Sequence, residues 1–299
     1  VCFAITLDVN GGVEMLNKAH KSTKRLTSGM YGHLSLWAHS LRTVLMAVFI
    51  LLMTYMLVRS KENSVAMNGF EVYLGETLFS YANMGFNLIM TSVALMVMMS
   101  ELPKRVSYQN YTIIRLSRRK WLTSLVVFCV SVVLVFIACM LAFSAIFSLS
   151  FVTPGHGWSD LERLAADTNY AHESQYVTQY IRVLSPIAAC TLASCILFLF
   201  WLTMAFLILL FSLWGAPNLG LIVCVSLLLL NITILFESLP GIKLPSHFAT
   251  LGAVASQVHE HQFEFIAKVI IGYLLLDSLL LFLMDIRVKH MDIRFMGKE

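Results

Sequence analysis

The sequence predicts an all-α polytopic membrane protein with six transmembrane helices and with both its N- and C-termini in the cytoplasm. Hydrophobic residues make up 58% of the 299 residues and charged residues only 13%, whereas a soluble domain contains about 25% charged residues. Six apolar runs alternate with polar connections, and each run approaches or exceeds the roughly 20 residues that a helix needs to cross a bilayer. The net charge of +4 is mild, which makes a lipid bilayer, and not nucleic acid, the expected partner.

The predicted spans divide the chain into three parts. A cytoplasmic N-terminal segment covers residues 1–35, a transmembrane domain covers residues 36–286, and a cytoplasmic tail covers residues 287–299. The spans are residues 36–58, 77–99, 121–149, 183–213, 219–239 and 265–286. The third and fourth spans are longer than a bilayer requires, so we expect them to tilt or to extend beyond it.

The distribution of basic residues orients these spans. The connection between the second and third spans, residues 101–121, carries six Lys or Arg residues and one acid, Glu101. Lys and Arg concentrate in the cytoplasmic loops of membrane proteins, so this basic loop is predicted to be cytoplasmic. The N-terminal segment and the tail are also basic, whereas the outer connections contain more acids.

Two segments beside the spans also have helical features. Residues 14–34 combine basic side chains with Met15 and Leu16, which predicts either an interfacial helix before the first span or a solvated cytoplasmic arm. Residues 240–264 repeat apolar side chains at roughly helical spacing. This segment before the sixth span forms either a re-entrant hairpin in the outer leaflet or a helix that lies flat on the membrane.

The basic loop also has the pattern of a docking helix. Arg115, Arg118 and Arg119 would share one face of a helix, because they lie at positions i, i+3 and i+4. Apolar side chains, including Leu116, are interleaved with them. A short amphipathic helix of this kind can dock into a groove on a cytoplasmic protein; the alternative is a loop that only fixes the topology.

The order of elements around this loop resembles a known family. The second span ends near Glu101, and the sequence Leu116-Ser117-Arg118-Arg119-Lys120-Trp121 opens the third span. Together with the basic tail, which contains Asp292-Ile293, and the six-span layout, this resembles the permease subunits of ABC-2-type ATP-binding-cassette transporters over most of residues 36–294. The resemblance implies that an ATPase-coupling site comprises Glu101, Arg115, Leu116, Arg118, Arg119 and Lys120.

The resemblance also implies an activity and partners. It implies an exporter subunit in the plasma membrane, of the bacterial inner-membrane kind, that moves an amphipathic or hydrophobic substrate such as a peptide, a lipid or a drug-like molecule. The partners would be an ABC ATPase dimer, which binds ATP and Mg²⁺, and a second permease copy or a homologous permease. This chain lacks the G-x-x-x-x-G-K-[ST] pattern that binds nucleotide phosphates, so we expect neither ATPase activity nor a cofactor in it. A polytopic membrane enzyme and a non-catalytic sensor or scaffold are the alternatives.

Polar residues within the spans are candidates for a substrate path. Asp277 is the one acid deep in a predicted span, where a charged side chain is costly and usually faces a partner or a wet cavity. Asn83, Asn87 and Thr91 lie at i, i+4 and i+8 on one face of the second span. The alternatives are a hydrogen bond from a neighbouring Ser or Tyr to Asp277, and helix packing for the polar stripe.

The histidines and cysteines do not predict a metal site. His259 and Glu260 begin a sequence similar to H-E-x-x-H, but Phe263 occupies the position of the second histidine. We therefore expect a hydrated loop before the sixth span. The cysteines lack C-x-x-C spacing, and those within apolar runs are interpreted as small hydrophobic residues.

Overall fold

The described part of the chain is all-helical apart from its connections. The computed structural model describes residues 41–68, 71–83, 85–100, 118–155, 157–160, 163, 184–235 and 262–290. The helices are α1 (Leu41–Asn68), α2 (Leu74–Asn83), α3 (Gly85–Met99), α4 (Arg118–Ser148), α5 (Pro186–Leu213), α6 (Pro217–Leu235) and α7 (Gln262–His290). Within these ranges, a bridge between Tyr73 and Thr153 is the one β-type contact. The predicted all-α class is confirmed for this part of the chain.

Among the described residues, four helices are long and apolar enough to cross a membrane. These segments are Leu41–Ser60, Arg118–Ser148, Pro186–Leu213 and Ile266–His290. They contain 20 to 31 residues each, which satisfies the requirement of about 20 residues for a bilayer. They correspond to the first, third, fourth and sixth predicted spans, and by length and composition the chain is a multi-pass membrane protein.

The second and fifth predicted spans are described differently. The second corresponds to two helices, α2 and α3, and Met84 between them lies outside the described residues. Its helical structure begins at Leu74, three residues before the predicted start. The fifth corresponds to α6, whose described residues end at Leu235. The predicted N-terminal segment, the segment 240–261 and the tail beyond His290 lie outside the described residues.

Helix α5 is the central element of the bundle. About four-fifths of the residues in its most apolar stretch are buried, compared with about a quarter of those in the corresponding stretches of α1 and α7. α2, α3, α4, α6 and α7 all pack against it. A helix that is apolar on every face is suited to complete burial, and the sequence of α5 contains no Asp, Glu, Lys, Arg or His.

Helix α7 instead buries a single face. Its buried side chains recur at intervals of three or four residues, which places them on one side of a helix. They are Ile266, Val269, Tyr273, Asp277, Leu280, Met284 and Val288. The opposite side exposes large apolar side chains such as Leu275 and Phe282. This division suits a peripheral membrane helix with one face on α5 and α4 and the other in hydrocarbon.

Contacts between helix ends show that the helices alternate in direction. At one end of the bundle, Arg42 in α1 donates a hydrogen bond to Ser100 after α3 (3.1 Å). At the same end, Arg118 in α4 donates to the carbonyl of Lys289 in α7 (2.7 Å). We call this the basic end, because its described charged residues are six cations and one acid: Arg42, Arg118, Arg119, Lys120, Arg287, Lys289 and Asp285.

The opposite end is held by a connection, residues 149–155 and 157–160, that we call the outer cap after the side of the membrane predicted for it from the sequence. The amide of Thr153 donates to the carbonyl of Val72 (3.0 Å), which fixes the cap to the start of α2. Trp158 donates from Nε1 to the carbonyl of Leu184 before α5 (2.8 Å). The amide of Ser159 donates to the buried carboxylate of Glu76 in α2 (3.1 Å). The cap therefore joins the starts of two helices to the end of α4.

A tight turn brings α6 close against α5. Gly215 in this turn has φ of 76°, a left-handed conformation that favours glycine. One turn into α6, a Cβ atom on Gly220 would lie 3.1 Å from Phe211 Cβ and 3.2 Å from Ile208 Cα of α5. Small residues permit such close approach of membrane helices, so Gly220 sets the separation of this pair.

Replacing Gly220 with leucine should therefore separate α6 from α5. We expect Gly220→Leu to lower the free energy of unfolding in detergent by about 1–3 kcal/mol, as overpacking of a tight contact does. Ser226→Leu is the matched control, because it enlarges an exposed position of the same helix. Thermal unfolding of the purified variants measures both effects, and equal stability of the two would contradict the close-packing role.

Candidate functional site: a buried carboxyl and the basic end

Asp277 lies in the middle of α7 and points into the bundle. Its side chain is only 5% exposed. Its Oδ1 atom lies 2.7 Å from Oγ1 of Thr203 in the central helix. A carboxyl group is costly in hydrocarbon, and this contact places it against α5, the most buried of the long described helices. The hydrogen-bond partner of Asp277 is a threonine of α5, whereas the alternative predicted from the sequence was a neighbouring Ser or Tyr.

The hydrogen bonds of this pair are incomplete. Thr203 Oγ1 also lies 3.0 Å from the carbonyl oxygen of Leu199, one turn earlier in α5. The second carboxyl oxygen of Asp277, Oδ2, is buried and has no hydrogen-bond partner among the described residues. A buried carboxyl normally has its oxygens satisfied, so the position of Oδ2 requires a physical explanation.

A second polar pair lies on another side of α5. Trp201 donates from Nε1 to Oγ of Ser92 in α3 (2.9 Å). Trp201 and Thr203 are two positions apart, so their side chains leave α5 about 200° apart around its axis. Helices α3 and α7 therefore approach the middle of α5 from nearly opposite sides, and each makes one hydrogen bond to it.

This geometry separates the predicted substrate-path residues. Thr91 is buried in α3, next to Ser92, on the side of α5 that lies away from Asp277. Asn83 and Asn87 lie in α2 and α3, but their side chains are outside the described part of the structure. Helix α3, which carries Thr91, and helix α7, which carries Asp277, thus pack on different faces of the one central helix.

Aromatic side chains fill the bundle around these polar pairs. Phe136 of α4 meets Trp201 edge to face, with ring centroids 5.0 Å apart. Phe200 meets Tyr273 of α7 in the same manner at 6.3 Å. Such contacts add packing specificity to the apolar area that they bury. The polar atoms at mid-depth are therefore enclosed by an otherwise apolar and aromatic interior.

At the basic end, Asp285 connects the start of α4 to the end of α7. Its two carboxylate oxygens pair with Lys289 Nζ at 2.5 Å and with Arg119 Nε at 3.8 Å. Arg118 donates to the Lys289 carbonyl, as described above. Arg287 also donates to the carbonyl of Leu213 at the end of α5 (3.3 Å). Exposed ion pairs are individually weak, but these four contacts all converge on the last two turns of α7.

The predicted coupling residues are only partly described. Arg119 and Lys120 are exposed and Arg118 is partly exposed, as a docking surface requires. Glu101, Arg115 and Leu116 lie outside the described residues.

Sequence reasoning missed Asp285, although its spacing of four residues from Lys289 is that of a helical ion pair. It also missed Thr203, since Thr191, Ser194 and Ser212 of the same helix are equally polar in sequence.

Neither candidate metal ligands among the described residues nor comparisons with known proteins identify a further functional site. No group of three or more His, Cys, Asp or Glu that could hold a metal ion occurs among the described residues. The histidines His247, His259 and His261 lie outside those residues. Comparisons with protein-family models, with curated proteins and with solved structures give no match.

Removing the Thr203 hydroxyl tests the contact between α5 and α7. We expect Thr203→Val to lower the free energy of unfolding by about 1 kcal/mol, the scale of an interhelical hydrogen bond in a membrane protein. Thr191→Val is the matched control, because Thr191 makes the same backbone contact to Ile187 but is exposed. Thermal unfolding in mild detergent measures both, and a loss in Thr191→Val as large as that in Thr203→Val would contradict the assignment.

Proposed function

We propose that this chain is the permease subunit of an ABC exporter of the ABC-2 type. In this proposal a separate ATPase dimer binds the basic loop, and a pair of permeases switches between inward-facing and outward-facing states. The observation that best supports it is the connection of the basic end to α7. The residues that follow the basic loop are bound to the same helix that carries Asp277 into the bundle.

The charges of the basic end suit an acidic surface on a soluble partner. Six described cations and one acid lie there, and complementary charge favours encounter and register between proteins. Both flanks of the basic loop are held: Ser100 contacts α1 and Arg118 contacts α7. A partner that displaces the loop would therefore move the start of α4 and the end of α7 together.

Helix α7 offers a route from that surface to the interior. It is continuous from Gln262 to His290, so a displacement at Asp285 and Lys289 is carried along a rigid element towards Asp277. The contact with Thr203 then connects it to α5, against which five other helices pack. Coupling between distant sites travels through rigid elements of this kind when they have two arrangements.

Six membrane crossings with both termini in the cytoplasm complete the proposal. α2 and α3 supply 10 and 15 helical residues, or about 37 Å at 1.5 Å per residue. α6 supplies 19 residues, or about 28 Å. These lengths are compatible with a hydrocarbon core of about 30 Å. The positive-inside rule then places the basic end in the cytoplasm of the cell.

The nature of the interior favours an amphipathic or hydrophobic substrate. The polar groups at mid-depth are a few hydroxyls and one carboxyl, enclosed by aromatic and aliphatic side chains. Such a lining gives an ionic or sugar-like solute few hydrogen bonds in exchange for its lost water. A peptide, lipid or drug-like amphiphile would lose less, and we propose that class as the substrate.

The orientation can be tested by labelling single cysteines in intact cells. Cysteines introduced at Asn68, Asp160 and Ser256 should react with a membrane-impermeant thiol reagent, because the proposal places them outside. A cysteine at Gln109 should react only after the membrane is permeabilised. The extent of labelling is the measurement. Labelling of the Gln109 variant in intact cells would show that the orientation is the reverse of the one proposed, and that the basic loop does not lie in the cytoplasm.

The partner can be tested by affinity purification in mild detergent. The wild-type chain should recover a P-loop ATPase, and the double variant Arg115→Glu with Arg118→Glu should recover at least about tenfold less, because charge reversal at a docking face is strongly unfavourable. Arg163→Glu is the control, since it reverses an exposed charge near the outer cap. Bound chains are identified by mass spectrometry.

The outcomes separate the proposed function from its alternatives. If the double variant recovers a normal amount of the ATPase, the basic loop fixes the topology but does not bind the ATPase. Recovery of other proteins without any ATPase, from a well-inserted wild-type chain, would favour a scaffold or a membrane enzyme over a transport subunit.

A further inference from the structure

We infer that Asp277 carries a proton in this conformation and, with Thr203, forms a proton-dependent latch between α5 and α7. The latch consists of the carboxyl group of Asp277, the hydroxyl of Thr203 and the carbonyl of Leu199. This inference rests on the hydrogen-bond geometry and the charges around Asp277. It does not depend on the proposed transport function.

The number of protons available decides between the two forms of the carboxyl group. Thr203 has one hydroxyl hydrogen, but its oxygen lies within hydrogen-bond distance of two acceptors, Leu199 O and Asp277 Oδ1. With an ionised carboxylate, one of the two contacts would lack a hydrogen. With a neutral acid, Asp277 donates to Thr203 and Thr203 donates to Leu199, so both contacts are satisfied.

The second carboxyl oxygen supports the same form. Oδ2 of Asp277 is buried without a hydrogen-bond partner among the described residues. In an ionised group this oxygen would share a full negative charge in an apolar interior, which is strongly unfavourable. In a neutral acid it is an uncharged carbonyl oxygen, and leaving it unpaired has a far smaller effect.

No cation on the packed helices compensates a charge at Asp277. α5 contains no charged residue, and the charged residues of α4 are the three at its basic end, Arg118, Arg119 and Lys120. On α7 itself, Lys268 and Asp285 are nine and eight residues from Asp277, or about 13 and 12 Å along the axis. Arg287, Lys289 and His290 lie farther along α7.

The remaining titratable groups of these helices are all acids. They are Cys129 and Cys139 of α4, Cys190 and Cys195 of α5, and Tyr273 and Glu264 of α7. None of them supplies a positive charge in any protonation state. Among the three helices that meet at Asp277, the proton is therefore the available neutralising group.

A neutral carboxyl makes the contact between α5 and α7 conditional on that proton. Once ionised, Asp277 needs water or a cation, which the packed interface does not provide. Ionisation then favours an arrangement in which α7 has moved away from α5 and the carboxylate is hydrated. Separation of the two helices would release the proton, and closure would take it up again.

Infrared spectroscopy of the full-length protein in detergent at neutral pH tests the protonation directly. The difference spectrum of wild type minus Asp277→Asn should contain the C=O stretching band of a protonated carboxylic acid. This band should shift in D₂O, and it should shift to higher frequency in Thr203→Val, which removes the hydrogen-bond acceptor. Glu76→Gln is the control, because Glu76 is also buried but lies at the outer end; it should leave this band in place.

Absence of the band from the wild-type difference spectrum would show an ionised Asp277 and overturn the inference. A band that is identical in wild type and Thr203→Val would also overturn it, because the acid would then not be bonded to Thr203. The comparison between wild type and Thr203→Val remains decisive even if Asp277→Asn assembles poorly.

The pH dependence of stability provides a second test. The folded state holds a proton that a hydrated carboxyl releases above about pH 4, so the unfolded state binds fewer protons and stability should fall as pH rises. Between about pH 5 and pH 8, wild type should lose about 2 °C or more of Tm relative to Asp277→Asn. Parallel Tm curves for the two proteins would contradict a proton-dependent latch.

Discussion

The structure depends on the burial of α5, a helix without charged residues against which five of the other described helices pack. In a bilayer, every polar group must be satisfied within the protein, and α5 meets this requirement with side-chain hydroxyls and with the indole N–H of Trp201, which donates to Ser92, while contributing no charge. The surrounding helices can then carry polar residues, provided that these face α5. Ser92 reaches it through Trp201, and Asp277 reaches it through Thr203. The positions of α3 and α7 around α5 are thus constrained by a polar atom as well as by packing.

The two ends of the molecule are held by different kinds of contact. The outer cap uses backbone hydrogen bonds, the Trp158 indole and an edge-to-face contact between Trp158 and Phe79 at 5.4 Å. Most of these contacts are shielded from water and insensitive to salt. The basic end uses exposed side chains around Asp285, whose electrostatic contributions are screened by salt. This difference makes the basic end the more easily rearranged of the two, whatever partner it binds.

Much of the architecture was accessible from the sequence because long apolar runs leave few alternatives to membrane helices. The interior position of Asp277 followed from its cost in lipid, but Thr203 could not be selected, because pairing across helices depends on rotation and depth that a single sequence does not specify.

The short turn at Gly215 has a consequence for biosynthesis. α5 and α6 are both free of charged side chains and lie close together through Gly220, so they can partition from the translocon into lipid as one helical hairpin. The ribosome makes this hairpin before α7. Thr203 is therefore already in the membrane when Asp277 emerges, and the carboxyl group need never enter hydrocarbon without an available partner. The order of the helices along the chain lowers the barrier to inserting the span that carries Asp277.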